Sequence, residues 1–481
     1  MRILIGILIG ISLCLAWNAA AEVRPKPVAD FVNLVRALPP EFHADLLLRV
    51  ADSKLLQGHA EWRRELLEEA FLIGQRVPEA CPSVGGLHTD SRSHVTSSQF
   101  GLDALSLRLR AIEWLLPSDP GRAAEMYRET PIPPLPALTC QSAQVPDFGT
   151  YYRVLGAVHK AGFTAKERER GEPAALLKGA LGALQYPGQV EPLGRAILAL
   201  DVSTAERQEL VDAFGVALAQ VAPSDRPFLR HEQSLLGLVI DAKTKGLTLT
   251  ALLRGLHGYI SAHLAGPRCT ISIERMIKTE KGKFSKLAVQ FMALAIEAGK
   301  QSPDAASVAI GRLQPERDAG KWDDGDFWKS TRSKEVLNDL KWLNHGNRNL
   351  PDNQRFWTAE ERLSTEWTAR YQELQKRIEG WRADEEPEAI DHFWMQSHAL
   401  HAATQLVPPG PGKALAMRRW LTHFEQGYQP GQTQNAWFGI LRRALPSYKP
   451  MSGASNGLEE LLASRNPVVA AYAQWEVLAG R

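Results

Sequence analysis

The sequence has little net charge and few cysteines. Its 481 residues include 56 lysines and arginines against 54 aspartates and glutamates, a formal charge of +2. Nucleic-acid-binding domains are usually strongly basic, so this balance gives no support for a nucleic-acid partner. Four cysteines are too few for a disulfide-rich scaffold, and an apolar fraction of 44% is too high for a disordered chain. The composition fits a globular chain with several domains or one extended array.

Motifs that identify a reaction are also missing. The chain has no Gly-x-Ser-x-Gly, Ser-x-x-Lys, Gly-x-Gly-x-x-Gly, Walker loop or Cys-x-x-Cys. The sequence therefore predicts no catalytic residue, no metal and no cofactor, and it favours a protein that is not an enzyme. Glycosidases need only two carboxyl groups brought together in space. Such a pair leaves no motif in the sequence. An all-α enzyme that acts on polysaccharide or peptidoglycan is thus the alternative.

Residues 1–21 predict a secretory signal peptide. Arg2 provides a positive start, Ile3–Trp17 is an apolar run, and Ala19–Ala21 offers small residues for cleavage before Glu22. The run is shorter than the roughly 20 residues of a membrane-spanning helix. We therefore expect an exported protein, periplasmic or extracellular, with no transmembrane span after cleavage. The alternative is that the segment is retained as an N-terminal anchor.

Cleavage would also remove Cys14 and leave an odd number of cysteines, Cys81, Cys140 and Cys269. At least one thiol then stays unpaired or pairs between chains. Cys81 and Cys140 lie in proline-containing loops, so they are the preferred disulfide pair in an oxidising compartment. Three separate reduced cysteines are the alternative.

Helical periodicity dominates the rest of the chain. Trp62, Leu66, Ala70 and Ile73 form one apolar stripe, and Leu105, Leu109, Ile112 and Leu116 form a second. Ser203 with Glu206 predicts a capping box at the start of another helix. Evidence for strands is thin, since no convincing sustained alternation and no Asn-Gly hairpin between apolar runs occurs. Further helical runs are predicted at Leu235–Lys245, Thr248–Leu264, Leu287–Ala298, Ala359–Ile378, Ile390–Leu406, Lys413–Phe424, Leu458–Ser464 and Pro467–Leu478. We therefore predict an all-α fold of antiparallel helical hairpins, stacked as an irregular α-solenoid or multi-helix array.

The junctions between helices suggest hairpin repeats. Asp119-Pro120 precedes Ala123, Ala124 and Tyr127, and related starts occur at Pro411-Gly412 and Asn466-Pro467. This pattern resembles the hairpin junctions of tetratricopeptide- and HEAT-type arrays. The resemblance implies a helical-hairpin array, although the chain shows no fixed period near 34 residues.

Composition along the chain predicts its domains. We expect a signal peptide over 1–21, an N-terminal helical array over 22–268, a polar linker over 269–332 and an aromatic-rich helical domain over 333–481. Nine of the 13 tryptophans lie between Trp322 and Trp437. The proline-rich residues 130–147 cannot be helical throughout.

The strongest candidate for a ligand-binding segment lies near the start of the aromatic-rich domain. Amides, an arginine and a histidine stand between aromatic residues there, a mixture that suits a peptide or sugar ligand. The alternative is a polar turn whose asparagines cap helices. The candidate residues are Trp342, Asn344, His345, Asn347, Arg348, Asn349, Asp352 and Trp357.

Several charged or metal-binding patterns favour simpler interpretations. His398 and His401 could share a helix face with a zinc ion, but ordinary hydrogen-bonded histidines are favoured for these two and for His392. The basic stretch at 275–286 is read as a solvated linker and the acidic stretch at 384–391 as a helix start. A calcium loop at 323–335 lacks the glycine that such loops need.

These features lead to one functional expectation. An exported helical-repeat protein commonly presents a concave surface to a protein or peptide, so we expect a binding scaffold with such a partner.

Overall fold

The structure, a computed structural model, describes residues 24–77, 101–133, 146–221, 237–265, 330–345, 364–385, 389–407, 411–427 and 461–480. Within these ranges all regular structure is helical, and no residue lies in a strand. The predicted all-α fold is therefore confirmed. The helices contact one another extensively, as in an array of packed helices.

The α-helices of the described residues are numbered α1 to α17 in chain order. They are α1 (Lys26–Val35), α2 (Pro40–Asp52), α3 (Ala60–Gly74), α4 (Ala104–Leu115), α5 (Pro120–Arg128), α6 (Phe148–Ala161), α7 (Ala165–Glu169), α8 (Glu172–Gly182), α9 (Pro187–Ala199), α10 (Thr204–Ala217), α11 (237–244), α12 (Thr250–Ala265), α13 (Thr331–His345), α14 (Thr365–Glu379), α15 (Ala389–Leu406), α16 (Pro411–Gly427) and α17 (Pro467–Ala479).

Polar caps and prolines set where several helices begin. Ser203 and Glu206 form the predicted capping box of α10, in which Glu206 N donates to Ser203 Oγ at 3.2 Å and Ser203 N donates to Glu206 Oε2 at 3.0 Å. Asp119 accepts from Arg122 N at 3.1 Å, and Pro120 opens α5. These acceptors satisfy backbone N–H groups that have no partner inside the helix. Local sequence therefore fixes these starts.

The apolar stripes predicted in α3 and α4 face the core. All but the last residue of each stripe are buried: Trp62, Leu66 and Ala70 in α3, and Leu105, Leu109 and Ile112 in α4. Ile73 and Leu116 are partly buried against the same core. Since burial of one large apolar side chain contributes about 1.5–3 kcal/mol, these stripes hold the two helices in the array.

Most helix contacts join elements that are close in sequence. In the first half of the chain, α2 packs on α3, α3 on α4, α6 on α9 and α10 on α12. In the second half, α13 packs on α14 and α15, and α15 packs on α16. Packing between helices that are neighbours in sequence is typical of helical arrays, in which each added helix packs on the preceding ones.

The last helix is an exception, because it packs against the first two. Helix α17 contacts α1 and α2, and its Tyr472 and Trp475 share an apolar core with Phe31 and Phe42. The predicted 333–481 domain thus adds a helix to the core of the predicted 22–268 array. Residues 269–329 of the predicted linker lie outside the described residues, so the domain division stays a prediction.

Other predictions also fall outside the described residues. They include the signal peptide at 1–21, the cysteines Cys81, Cys140 and Cys269, the basic stretch at 275–286, and the aspartates of the calcium-loop alternative at 323–326. In the ranges that the structure describes, no helix combines the length and apolar character needed to cross a membrane.

Candidate functional site

Helices α13 and α14 form the framework of the candidate site. The buried residues of α14 recur at helical spacing, with Trp367, Tyr371, Leu374 and Ile378 facing Leu343 and its neighbours in a separate apolar cluster. Ser364 caps α14, because its Oγ accepts from Trp367 N at 3.2 Å. The two helices therefore meet along one apolar seam, which sets the positions of the polar side chains beside it.

A buried carboxylate lies at this seam. The side chain of Asp339 on α13 is 2% exposed, and Arg370 Nη2 donates to its Oδ1. Arg377 Nε lies 3.2 Å from Asp339 Oδ2, and Arg377 Nη1 donates to Glu335 Oε2 at 2.8 Å. A carboxylate removed from water is costly unless it is paired, so the two guanidinium groups account for its place in the interface.

Arg370 connects this buried pair to the surface. Its Cζ lies 5.9 Å from the centre of the Trp342 ring, within the range of a cation–π contact. The arginine side chain is 45% exposed, so it can be reached from solvent. Asp339 and Trp342 thus hold a positive, planar donor group in one orientation, ready to bond a ligand oxygen without further ordering.

Two stacked aromatic rings support the end of α13. Trp367 and Tyr371 lie 5.1 Å apart with 9° between their planes, and both are buried. Trp367 Nε1 donates to Leu343 O at 3.0 Å, which satisfies a carbonyl in the last turn of α13. Burial raises the pKa of Tyr371, so its hydroxyl stays neutral at physiological pH. These contacts fix the turn that carries Trp342.

The structure separates the predicted ligand-binding residues into two groups. Trp342 and Asn344 are half-buried in the last turns of α13, which ends at His345. Trp342 contacts Arg370 of the Arg370–Asp339 pair. The others lie outside the described residues: Asn347, Arg348, Asn349, Asp352 and Trp357.

Sequence reasoning missed Arg370 and Asp339, although one signal pointed to them. On the apolar face of α13, Asp339 lies between Val336 on one side and Leu340 and Leu343 on the other. An acidic residue on a buried stripe needs a cationic partner on the neighbouring helix. Helix α14 supplies two such partners, Arg370 and Arg377, which are seven residues apart and therefore lie on the same face.

Two histidines of α15, His392 and His401, make hydrogen-bonding or packing contacts with neighbouring residues. His392 Nε2 lies 3.0 Å from Trp381 O, and its ring meets the Trp381 ring edge-on at 5.5 Å. His401 packs against the ring of Trp420 at 5.7 Å. The described residues contain no group of three histidine, cysteine or acidic side chains placed to hold a metal ion.

A serine–histidine pair between α15 and α16 resembles a nucleophile with its base. In a catalytic pair the serine donates to the histidine, whereas here the serine accepts. Ser397 is fully buried, and its Oγ donates to Phe393 O at 2.7 Å. The hydroxyl has one proton, so at His423 Nε2, 2.9 Å away, it acts as acceptor. Burial lowers the pKa of His423 to about 4. The neutral imidazole is then protonated at the nitrogen facing serine, which makes this a structural contact.

The acidic stretch that precedes α15 is partly described. Glu385 Oε2 accepts from Arg332 Nε at 3.0 Å, which ties this segment to the start of α13. Asp384 lies 3.2 Å from Arg382 in an exposed pair. Glu385 thus braces α13, whereas the role of the acidic stretch at a helix start stays a prediction.

At the α13–α14 interface, one exposed guanidinium is held between a buried carboxylate and an indole ring. This arrangement can bind an anionic or carbonyl oxygen beside an apolar surface. The resemblance of the helix junctions to tetratricopeptide- and HEAT-type arrays stays a prediction. In comparisons with known proteins, no family model, no curated protein and no solved structure matches this chain.

Proposed function

We propose that the protein is an exported helical scaffold that binds a protein or peptide partner, with Arg370 and Trp342 as the contact point. Export is supported by the sequence of residues 1–21. Scaffold function is supported by the sequence-local packing of the helices, because arrays of this kind present long continuous surfaces.

The observation that carries the proposal is the fixed orientation of Arg370. A flexible arginine loses side-chain entropy on binding, whereas this one is already held by Asp339 and Trp342. Its exposed edge can donate to a backbone carbonyl or a carboxylate, and arginine and tryptophan are the residues most enriched at binding hot spots. A peptide offers both oxygens and apolar side chains.

The charge balance of the site favours a peptide over a polyanion. Arg332, Arg370 and Arg377 face Asp339, Glu335 and Glu385 in paired contacts. Polyanions are attracted by an excess of basic groups, which this network does not have. A peptide partner needs only the N–H groups of Arg370 other than the one that bonds Asp339.

The glycosidase alternative gains no support from the carboxylates of this site. A glycosidase brings two carboxyl groups about 5–9.5 Å apart in an open cleft. Asp339 is 2% exposed, and both its oxygens lie within ion-pair distance of arginines. Glu335 accepts from Arg332 and Arg377. The sugar-directed activity stays a prediction that these residues do not favour.

Quantitative affinity capture tests the proposal. The full chain is used as bait in the exported fraction, as wild type and as the Trp342→Ala and Arg370→Ala variants. A partner recovered by the wild type should fall by about tenfold with either variant, since loss of a hot-spot residue typically costs more than 1 kcal/mol. Arg370→Lys should recover little, because lysine lacks the planar donor fork.

Arg382→Ala is the matched control. Its side chain is 75% exposed and pairs with Asp384, two residues away, so its removal should leave recovery unchanged. Equal recovery by wild type, both site variants and the control would remove the α13–α14 site from the proposal.

A further inference from the structure

The ion pairs at the α13–α14 seam join more carboxylates than guanidinium groups. The three cations are Arg332, Arg370 and Arg377, and the four anions are Glu335, Asp339, Glu373 and Glu385. This ion-pair network therefore carries one excess negative charge. A ligand carboxylate bound beside it would add a second, and placing like charges together costs binding free energy. A neutral oxygen adds no charge.

Glu373 is the carboxylate of this network that its cations neutralise least. Its Oε1 lies 3.7 Å from Arg377 Nη2, and its side chain is 55% exposed. Arg377 also donates to Glu335 Oε2 at 2.8 Å through Nη1, and its Nε lies 3.2 Å from Asp339 Oδ2. One guanidinium thus serves three carboxylates, and its longest contact is the one with Glu373. The exposed carboxylate can therefore pair with a further cation that arrives from solvent.

Glu373 lies on the same face of α14 as Arg370. The residues Arg370, Glu373 and Arg377 occupy positions i, i+3 and i+7, which form one stripe along a helix. Side chains three residues apart have their Cβ atoms about 5–6 Å from each other. An extended peptide advances about 3.3–3.6 Å per residue. A bound segment whose carbonyl oxygen accepts from Arg370 thus brings a neighbouring side chain within reach of Glu373.

We infer that the partner segment carries a lysine or arginine that pairs with Glu373, and that the oxygen it presents to Arg370 is a neutral backbone carbonyl. This assignment rests on the proposed function, because it names the kind of peptide that the contact of Arg370 and Trp342 binds. Asp339 does not take the cation itself, since its side chain is 2% exposed. Glu373 is therefore the residue that selects a basic segment over an acidic one.

A library of acetylated and amidated hexapeptides tests the inference on the full chain. The blocked ends leave the side chains as the only charges of the probe. Wild type, Arg370→Ala and Glu373→Gln are each incubated with the library at low salt, where charge pairs are least screened, and mass spectrometry identifies the bound peptides. The wild type should enrich peptides with lysine or arginine about fivefold over those with aspartate or glutamate.

The two variants should change different quantities. Glu373→Gln should reduce the preference for basic peptides to less than about twofold, because it removes only the charge that selects them. Arg370→Ala should lower the total amount of bound peptide about tenfold, because it removes the donor for the carbonyl. Circular dichroism shows that each variant has the helix content of the wild type, and both positions are exposed in α14.

Glu379→Gln is the matched control. It removes the same charge from the same helix, but nine residues are about two and a half turns, so Glu379 lies on the other side of α14 from Arg370. The control should keep the basic preference. Binding that depends on Arg370 without a basic preference, or a preference that Glu373→Gln keeps or Glu379→Gln also removes, overturns the inference alone. Equal binding by wild type and Arg370→Ala removes the proposed function as well.

Discussion

Gly215 and Gly255 bring the backbones of α10 and α12 into direct contact. A Cβ atom placed on Gly255 would lie 2.0 Å from Gly215 O, and one placed on Gly215 would lie 2.5 Å from Ala251 O. Both obstacles are backbone atoms of the opposite helix, which cannot turn aside as a side chain can. The crossing of these two helices therefore requires glycine at both positions.

Gly255→Ala should destabilise the protein for this reason. The added methyl group forces α12 away from α10, and overpacking of this kind costs about 3 kcal/mol. The midpoint of urea unfolding, followed by circular dichroism, measures the loss. Gly258→Ala on the same helix is the matched control, because nothing lies within 4 Å of its added Cβ. There the better helix propensity of alanine should raise stability by about 0.5–1 kcal/mol. Equal effects of the two substitutions would contradict the proposed crossing.

Gln189 joins α8, α9 and α6 through a fully buried amide. Its Oε1 accepts from Gln185 N at 2.9 Å and from Tyr186 N at 2.8 Å. Its Nε2 donates to Tyr152 Oη at 2.8 Å and to Ala183 O at 3.0 Å. Three of these four hydrogen bonds satisfy backbone groups between the end of α8 and the start of α9, and the fourth ties them to Tyr152 of α6.

Gln189→Leu should lower the free energy of unfolding by about 3 kcal/mol. The leucine fills similar space but leaves several buried polar groups without partners, each costing about 1–3 kcal/mol. Gln185→Ala is the control, since that side chain is exposed and its replacement should change stability by less than about 0.5 kcal/mol. Urea unfolding of the three proteins checks the difference. A Gln189→Leu variant as stable as Gln185→Ala would show that the amide is dispensable.

Local signals predicted some helices to within two residues at each end. The stripe from Trp62 to Ile73 lies within the observed α3 (Ala60–Gly74), and the stripe from Leu105 to Leu116 matches α4 (Ala104–Leu115) to within one residue at each end. Their apolar stripes and caps lie within the segment itself. By contrast, a Pro-Gly pair is typical of a break between helices, yet Pro187 is the first residue of α9. Proline fits a first turn, and the buried Gln189 amide holds that start in place.

The candidate site shows where sequence information ends. Trp342 was predicted because aromatic and amide residues cluster around it in the sequence. Arg370 was not, because its pairing with Asp339 depends on how α13 and α14 are aligned. The hydrogen bond from the Tyr472 hydroxyl of α17 to Asp45 of α2 was equally out of reach, since no local pattern links positions 427 residues apart. Tertiary packing decides such pairs.

Glu69 should make stability depend on pH in a defined window. Hydrogen bonds from Arg36, with donor–acceptor distances of 2.9 and 2.7 Å, and the His43 ring, whose Nε2 lies 3.3 Å from Glu69 Oε1, lower the pKa of Glu69 to about 2. Because the folded pKa lies below the unfolded value of about 4.3, the folded state favours the ionised form. The stabilisation is complete above the unfolded pKa and is lost as pH falls through the folded one.

Glu69→Gln should therefore be less stable than the wild type at pH 7, by up to about 2–3 kcal/mol, and the difference should shrink between pH 5 and pH 2. The side chain is 28% exposed, so screening by solvent reduces the effect below that bound. Urea unfolding at pH 7, 5, 4 and 3 measures the difference. Glu61→Gln is the control, because Glu61 is 75% exposed in its pair with Arg64 and should cost little at any of these pH values. A constant gap between wild type and Glu69→Gln across this range would show that the charge of Glu69 does not stabilise the contact of Arg36, just after α1, with α3.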